Sequence, residues 1–420
     1  MALIVLEKHT LLGNIRLMTF FKSAEQASKV QFYQVCMLFA AVVLVGSNAF
    51  VLSPILTEVG RGLETEPYRI AWAISAFGGA TALSSFFLSP VIDRMPPRWT
   101  LGGAAGLLAL AQLLSSVSQS WVWLCLSQAG AGVAVGVLLP GTYATTAATA
   151  PPGRDAARLG IVLTGWALSL VLAVPAAAFI AAHAGWRTVY ILLATMSACV
   201  SCGLFFAMRG EEIEAGERSS PGRALGLPGV AFLLLIIFAY MTAFYGTFAF
   251  FGEGVRQAFD LSAQGSGLFV LAYGLGFGSA GIGLGAVSPR ISRRYLLSVL
   301  VAIAGVYALW RFALSMPPIA FVTAVAWGFL NQLGLNALVV SLNRQAQSAR
   351  GAVMGLNSGV TYSAVFIGPV LMGYVYTKSG FPAVVTFAAI IVAAAAAATV
   401  LAEYVENSRS KAQGQKSEKS

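Results

Sequence analysis

Asn331, Gln332 and Asn336 lie in an otherwise apolar stretch that also carries Trp327. On a helix, positions 332 and 336 are one turn apart and share a face, with 331 beside them. Other apolar stretches hold a few isolated polar groups of the same kind: Ser47 and Asn48, Gln128 and Tyr143, Tyr240 and Tyr245, Tyr273, and Asn357, Thr361 and Tyr362. Side chains of this type inside a lipid-spanning segment turn toward other helices or toward a cavity. Amides interleaved with aromatics suit a neutral, hydrogen-bonding solute such as a sugar, a nucleoside or a nucleobase, and the aromatic part also accommodates a hydrophobic drug. The competing reading is that each amide only bonds a neighbouring helix.

Few residues could support other chemistry. The chain has two histidines, His9 and His183, with no metal-ligand cluster, no nucleophile–base spacing and no phosphate-binding loop. An enzyme, a metal site, a bound cofactor and direct drive by ATP are therefore not expected. Cys199 and Cys202 form a C-x-x-C inside an apolar run, without a second pair or a nearby histidine, and read as small buried side chains. Gly276 to Gly281 satisfies G-x-G-x-x-G, but a dinucleotide site needs a preceding strand, and here the glycines sit within an apolar helix that they allow to pack closely. Moving a solute against protons needs a titratable group. None of the 16 acids lies in the middle of an apolar run, so Glu58 and Glu253, each ending one, are the proton-coupling candidates by elimination. The alternative for both is solvation at the membrane interface.

The elements that must position these residues are transmembrane helices. Only 10% of residues are charged and 58% are hydrophobic, which excludes a soluble core. A spanning helix needs about 20 apolar residues. Twelve such runs read at about 33–57, 69–91, 99–118, 121–149, 158–182, 187–208, 228–251, 265–288, 294–315, 317–341, 352–376 and 381–404. Because the runs are continuous rather than alternating, helices are expected and not an outer-membrane barrel. The net charge of +10 reflects topology rather than nucleic-acid binding. Six basic residues, Arg61, Arg69, Arg187, Arg256, Arg311 and Lys378, fall on one side of the membrane, and the rest of the 26 fall on the other. The positive-inside rule then places both termini in the cytoplasm. Residues 1–32 form a cytoplasmic N-terminal segment without a cleavable signal peptide, with Met18 as an alternative start. Residues 33–208 form a first bundle of six helices, 209–227 a charged linker, 228–404 a second six-helix bundle and 405–420 a cytoplasmic tail. The halves echo one another: Pro175 and Pro369 stand 10 and 11 residues before Gly185 and Gly380, and the loops after the second and eighth runs are short and basic.

Motifs along the chain resemble those of the major facilitator superfamily over about 33–404. Residues 89–98 are similar to its loop signature G-x-L-a-D-r-x-G-R-[RK], with Asp93, Arg94 and Arg98 in matching places. Gly185-Trp186-Arg187 resembles the G-W-R joint between its fifth and sixth spans. Leu124 to Pro140 looks like its fourth-span motif, with Gly132 and Gly136 present and Gln128 where the family usually has the Arg linked to proton coupling. Val174-Pro175 and Gly355-Leu356-Asn357-Ser358 look most like the twelve-span drug–proton antiporter branch that exports sugars, purines and related metabolites. The resemblance implies an all-α membrane protein, with twelve transmembrane helices in two six-helix bundles and both termini cytoplasmic. It implies a central cavity lined by spans 1, 4, 7 and 10, with Asn48, Gln128, Tyr240, Tyr245, Tyr273, Asn331, Gln332, Asn336, Asn357 and Tyr362 as candidate solute contacts. Asp93, Arg94 and Arg98 would serve as a conformational gate. The expectation is a monomeric, multi-pass transporter of the inner cell membrane that exports a small organic solute in exchange for protons. Rival readings are an importer or facilitator of the same fold, or a transport-inactive membrane sensor.

Overall fold

The computed structural model describes residues 30–88, 92, 94–151, 154–210, 225–287, 291–345 and 350–417. Its regular elements are helices long and apolar enough to cross a bilayer, as lipid requires of a backbone that must satisfy its own hydrogen bonds. They are α1 (Val30–Phe50), α2 (Pro67–Phe87), α3 (Pro97–Ser116), α4 (Trp121–Ala148), α5 (Ala157–Ala184), α6 (Trp186–Ala207), α7 (Val230–Phe259), α8 (Ala263–Val287), α9 (Arg293–Ala313) and α10 (Pro317–Gln345). One last helical run, Arg350–Ser417, is broken at Gly380 (φ 70°, ψ −176°) into α11 (350–379) and α12 (381–417). The twelve expected spans are present, most with ends within a few residues of the apolar runs.

The helix starts follow local chemistry. Proline, which gives up no needed N–H in a first turn, opens α2, α3 and α10. Ser120 and Ser292 cap α4 and α9, each accepting a backbone N–H at 3.2 Å. In α1 a proline has the opposite effect. Pro54 has no N–H to offer the carbonyl of Phe50, so the helix breaks at Val51 and resumes as an outer segment, Leu52–Gly62. In α5, Pro175 follows a π-helical turn, Ser169–Ala173, which absorbs the same defect.

Small residues decide which helices touch. In the first six, α2 packs on α4, where a Cβ on Gly132 would collide with the carbonyl of Phe77. In the second six, α8 packs on α10, where Gly276 and Gly328 lie against the backbone of Val325 and Tyr273. These two pairs occupy equivalent places in the two halves. The joints are equivalent too: Gly185 (φ 83°) ends α5 and Gly380 (φ 70°) ends α11, each in a backbone conformation suited to glycine and each followed by a buried ring, Trp186 or Phe381. The halves meet through α5 on α8, with Gly274 against the Leu170 carbonyl; through α2 on α11, with Gly78 against Val365 and Phe366; and through the outer segment of α1 on α7.

Candidate functional site

Several candidate polar residues are engaged inside their own half. Asn48 Nδ2 donates to Gln128 Oε1 at 3.0 Å, and Gln128 Nε2 donates to Ser115 Oγ at 3.0 Å. Gln112 Nε2 donates to Asn48 Oδ1 at 3.3 Å, and Ser197 Oγ donates to Gln112 Oε1 at 2.7 Å. This network ties α1, α3, α4 and α6 together with neutral groups, all of them buried. Gln128 thus makes interhelical hydrogen bonds where a charged residue would need a counter-ion. In the second half, Tyr240 Oη donates to the carbonyl of Asn331 at 2.8 Å, and Asn331 Nδ2 donates to Tyr273 Oη at 3.1 Å. Around them Trp327 is ringed by Tyr273, Phe251, Tyr307, Phe248, Phe244 and Trp310 at 4.8–6.3 Å. Asn48, Gln128, Tyr240, Tyr273 and Asn331 therefore lie in the bundle cores.

The remaining candidates converge between the halves. Phe50, at the break in α1, packs edge-on against Trp166 of α5 at 5.9 Å and stacks on Tyr245 of α7 at 6.1 Å, with planes 8° apart. Trp166 Nε1 donates to Tyr143 Oη of α4 at 2.9 Å. Tyr362 of α11 is buried. Four helices from both halves, α1, α4, α5 and α7, thus supply one aromatic cluster. Tyr143, Trp166 and Tyr245 are half-buried, as are Gln332 and Asn336 on α10 and Asn357 and Thr361 on α11. The carbonyl oxygens of Gln332 and Asn357 are enclosed without a hydrogen-bond partner.

On one side of this cluster the halves are zipped together. Ser53 Oγ donates to the carbonyl of Phe248 and accepts from the Gly252 N–H at 3.3 Å. Ser266 Oγ donates to the carbonyl of Pro54 at 3.3 Å. Thr57 Oγ1 donates to Glu253, and Arg256 pairs with Glu58. Gly252 is required at this crossing, because a Cβ there would stand 2.5 Å from both Pro54 Cα and the Ser53 carbonyl oxygen. Toward the other side, among the described residues, a Cβ on Gly278 of α8 would meet only Ala167 of α5, at 3.7 Å, and one on Gly355 or Gly359 of α11 would meet nothing within 4 Å.

Both carboxylates proposed for coupling belong to the zipped end, in different settings. Glu58 is ion-paired across the halves. Glu253 is 5% exposed and accepts from neutral donors, Thr57 and the amide of Gln257 at 2.8 Å. The apolar run ends at 251, but α7 continues to Phe259, and Glu253 and Arg256 in its last turns bond Thr57 and Glu58 of the outer segment of α1. Glu253 is accordingly buried rather than solvated at an interface. Of the loop residues, Asp93 lies outside the described residues, Arg94 is exposed and Arg98 sits over the ring of Trp99 at 5.4 Å. Among the described residues no three His, Cys, Asp or Glu side chains come together.

Sequence reasoning named neither Phe50, Trp166 and Gln112 nor the latch residues Ser53 and Thr57, and it read Arg256 only as a loop charge. Two signals were available: Pro54, which breaks a helix four residues after Phe50, and Gln112, the one amide in its span.

Comparison with known proteins places this arrangement in a family. The model of the Major Facilitator Superfamily matches residues 38–251 and 233–420. Two relatives from Bacillus subtilis (strain 168) are similar over most of their length. The uncharacterized MFS-type transporter YwfA is 27% identical over 353 residues, 81% of this chain and 84% of the relative. The uncharacterized MFS-type transporter YceJ is 25% identical over 371 residues, 85% of this chain and 93% of the relative. Among solved structures, a bacterial homolog of the human lysosomal transporter Spinster in an inward-facing, unoccupied conformation superposes with a TM-score of 0.71. It shares 15% identity and covers 89% of this chain and 97% of that one. The same homolog in its inward-facing, occupied conformation also gives a TM-score of 0.71.

Proposed function

The chain belongs to the major facilitator superfamily, and on that premise we propose that it exports a small organic solute from the cytoplasm in exchange for protons. That it is a multi-pass membrane transporter follows from the family and the fold; direction, driving ion and solute are our reading. The observation that carries alternating access is the latch at one end. The halves are bonded from Ser53 to Arg256, and open space beside Gly355 and Gly359, beyond the aromatic cluster, supports a solute path from the opposite end. The loop charges support placing both termini in the cytoplasm of a bacterial inner membrane. The latched end is then external and the state is inward-facing. Asp93, Arg94 and Arg98 lie on the cytoplasmic side and would hold the opposite, outward-facing state. The protein acts as a monomer, its two halves rocking about the site between them.

Glu253 is the coupling group in this reading, because no cation among the described residues is paired with it, whereas Glu58 is committed to Arg256. The carboxylate meets external water when the latch parts and is withdrawn from it when the latch closes. Inside-out vesicles test the whole scheme. A substrate found by thermal-shift screening should accumulate when the lumen is acidified, and Glu253→Gln should abolish that accumulation while leaving solute-for-solute exchange. Equal uptake with and without the gradient would establish a facilitator instead. That second reading draws on Gln128, whose neutral network stands where the family motif has a charged residue.

A further inference from the structure

We infer that the site between the halves selects an uncharged, ring-bearing solute that carries hydrogen-bond donors, a deepening that rests on the transporter reading above. Charge comes first. The stretches that surround the aromatic cluster contain no Asp, Glu, Lys, Arg or His: residues 30–57 of α1 and its outer segment, 121–148 of α4, 159–182 of α5, 230–252 of α7, 263–287 of α8, 317–343 of α10 and 352–377 of α11. A solute with a net charge would lose its hydration here and meet no opposite charge, a loss that pairing elsewhere in proteins is needed to offset.

Shape and polarity follow from the cluster itself. Tyr143, Trp166 and Tyr245 are half-buried around the packed ring of Phe50, with Tyr245 nearly parallel and Trp166 at 69° to it, so a flat occupant finds aromatic surface in more than one orientation. Gln332 Oε1 and Asn357 Oδ1 are acceptors without a donor, on half-buried side chains of α10 and α11. An orphaned acceptor is the group that gains most from an occupant's N–H or O–H. A Cβ on Gly281 of α8 would stand 3.6 Å from Gln332 Nε2, so the glycine leaves the space beside that amide unfilled.

The test uses two series in which the ring is constant and only the charge changes: indole-3-ethanol, tryptamine and indole-3-acetate, and tyrosol, tyramine and 4-hydroxyphenylacetate. Binding is read on the purified full-length protein by concentration-dependent thermal stabilisation, which reports affinity for the folded state. In at least one series the neutral member should bind at least about tenfold more tightly than either charged partner. Replacing the donor, as in 1-methylindole, should weaken binding, and a ring-free neutral polyol such as inositol should not bind. Gln332→Leu should reduce affinity for the neutral member while the unliganded protein melts as before or higher, and Tyr245→Phe should keep the ring contribution. Stabilisation by tryptamine or tyramine, or by either acid, to the same extent as the alcohols overturns the charge assignment. Failure of both alcohols to bind overturns the ring-and-donor assignment. Neither result would touch the transporter reading, which falls only if no solute is moved and the two facing states do not interchange.

Discussion

At residue scale, the same side chain type does two jobs, and burial separates them. Asn48, Gln112 and Gln128 satisfy one another, with Ser115 and Ser197, in a network closed within the first half. Gln332 and Asn357 keep enclosed oxygens without partners between the halves. Removing the centre of the network should therefore harm stability rather than recognition. Gln112→Leu orphans Asn48 Oδ1 and the hydroxyl of Ser197. It should cost ~1–3 kcal/mol, the price of leaving buried polar atoms unpaired, seen as a lower melting temperature in detergent with solute affinity unchanged. A loss of affinity without a loss of stability would place Gln112 at the solute site. The sequence showed that each of these amides must have a partner, because an unpaired polar group in an apolar span is costly. It could not show on which side of the helix the partner stands. Asn48, Gln128, Tyr240, Tyr273 and Asn331 looked like cavity residues for that reason. Phe50 and Trp166 drew no attention because aromatic residues are ordinary in a lipid-facing span.

At the scale of elements, the informative one is the broken first helix. Pro54 removes the hydrogen bond that would carry α1 unbroken past Phe50, and the segment Leu52–Gly62 that follows packs on α7. Ser53, Thr57 and Glu58 recur along this segment at near-helical spacing and all reach α7. Pro54→Ala restores the missing N–H and should straighten α1, weakening the latch. A cysteine placed at Ser53, in a background lacking Cys36, Cys125, Cys199 and Cys202, should then react faster with an impermeant maleimide added to the latched side. Unchanged labelling would show that the break does not support the latch. Gly252→Leu tests the same contact from the α7 side. Its side chain has no room against Ser53 and Pro54, so it should raise labelling more than Pro54→Ala does. The existence and order of the helices were legible from length and apolarity. The far end of α7 was not, since Glu253 and Arg256 look like the start of a loop until α1 is known to cover them.

At the scale of the molecule, the repeat makes the closed end half of a two-state device. Equivalent helices, α5 with α8 and α2 with α11, hold the halves through glycine contacts near mid-membrane, and these can persist while either end parts. The facing preference is then set by what bonds each end, and a modest loss at one end shifts the population. The Glu58–Arg256 pair is the charged part of the latch, with both side chains mostly sheltered at 17% and 15% exposure. Removing one partner leaves the other charge poorly solvated. Glu58→Gln and Arg256→Gln singly should each favour the opposite facing state, and the double substitution should be milder than the sum of the two. A change of about 1.4 kcal/mol moves the ratio of states about tenfold. Spin-label distances across the latched end should lengthen, while distances between the α2–α3 and α8–α9 connections shorten in step. The coupling of the two readings is what matters. Lengthening at the latched end without shortening at the other would mean local fraying of Leu52–Gly62, and the halves would not be moving as rigid bundles about their glycine contacts.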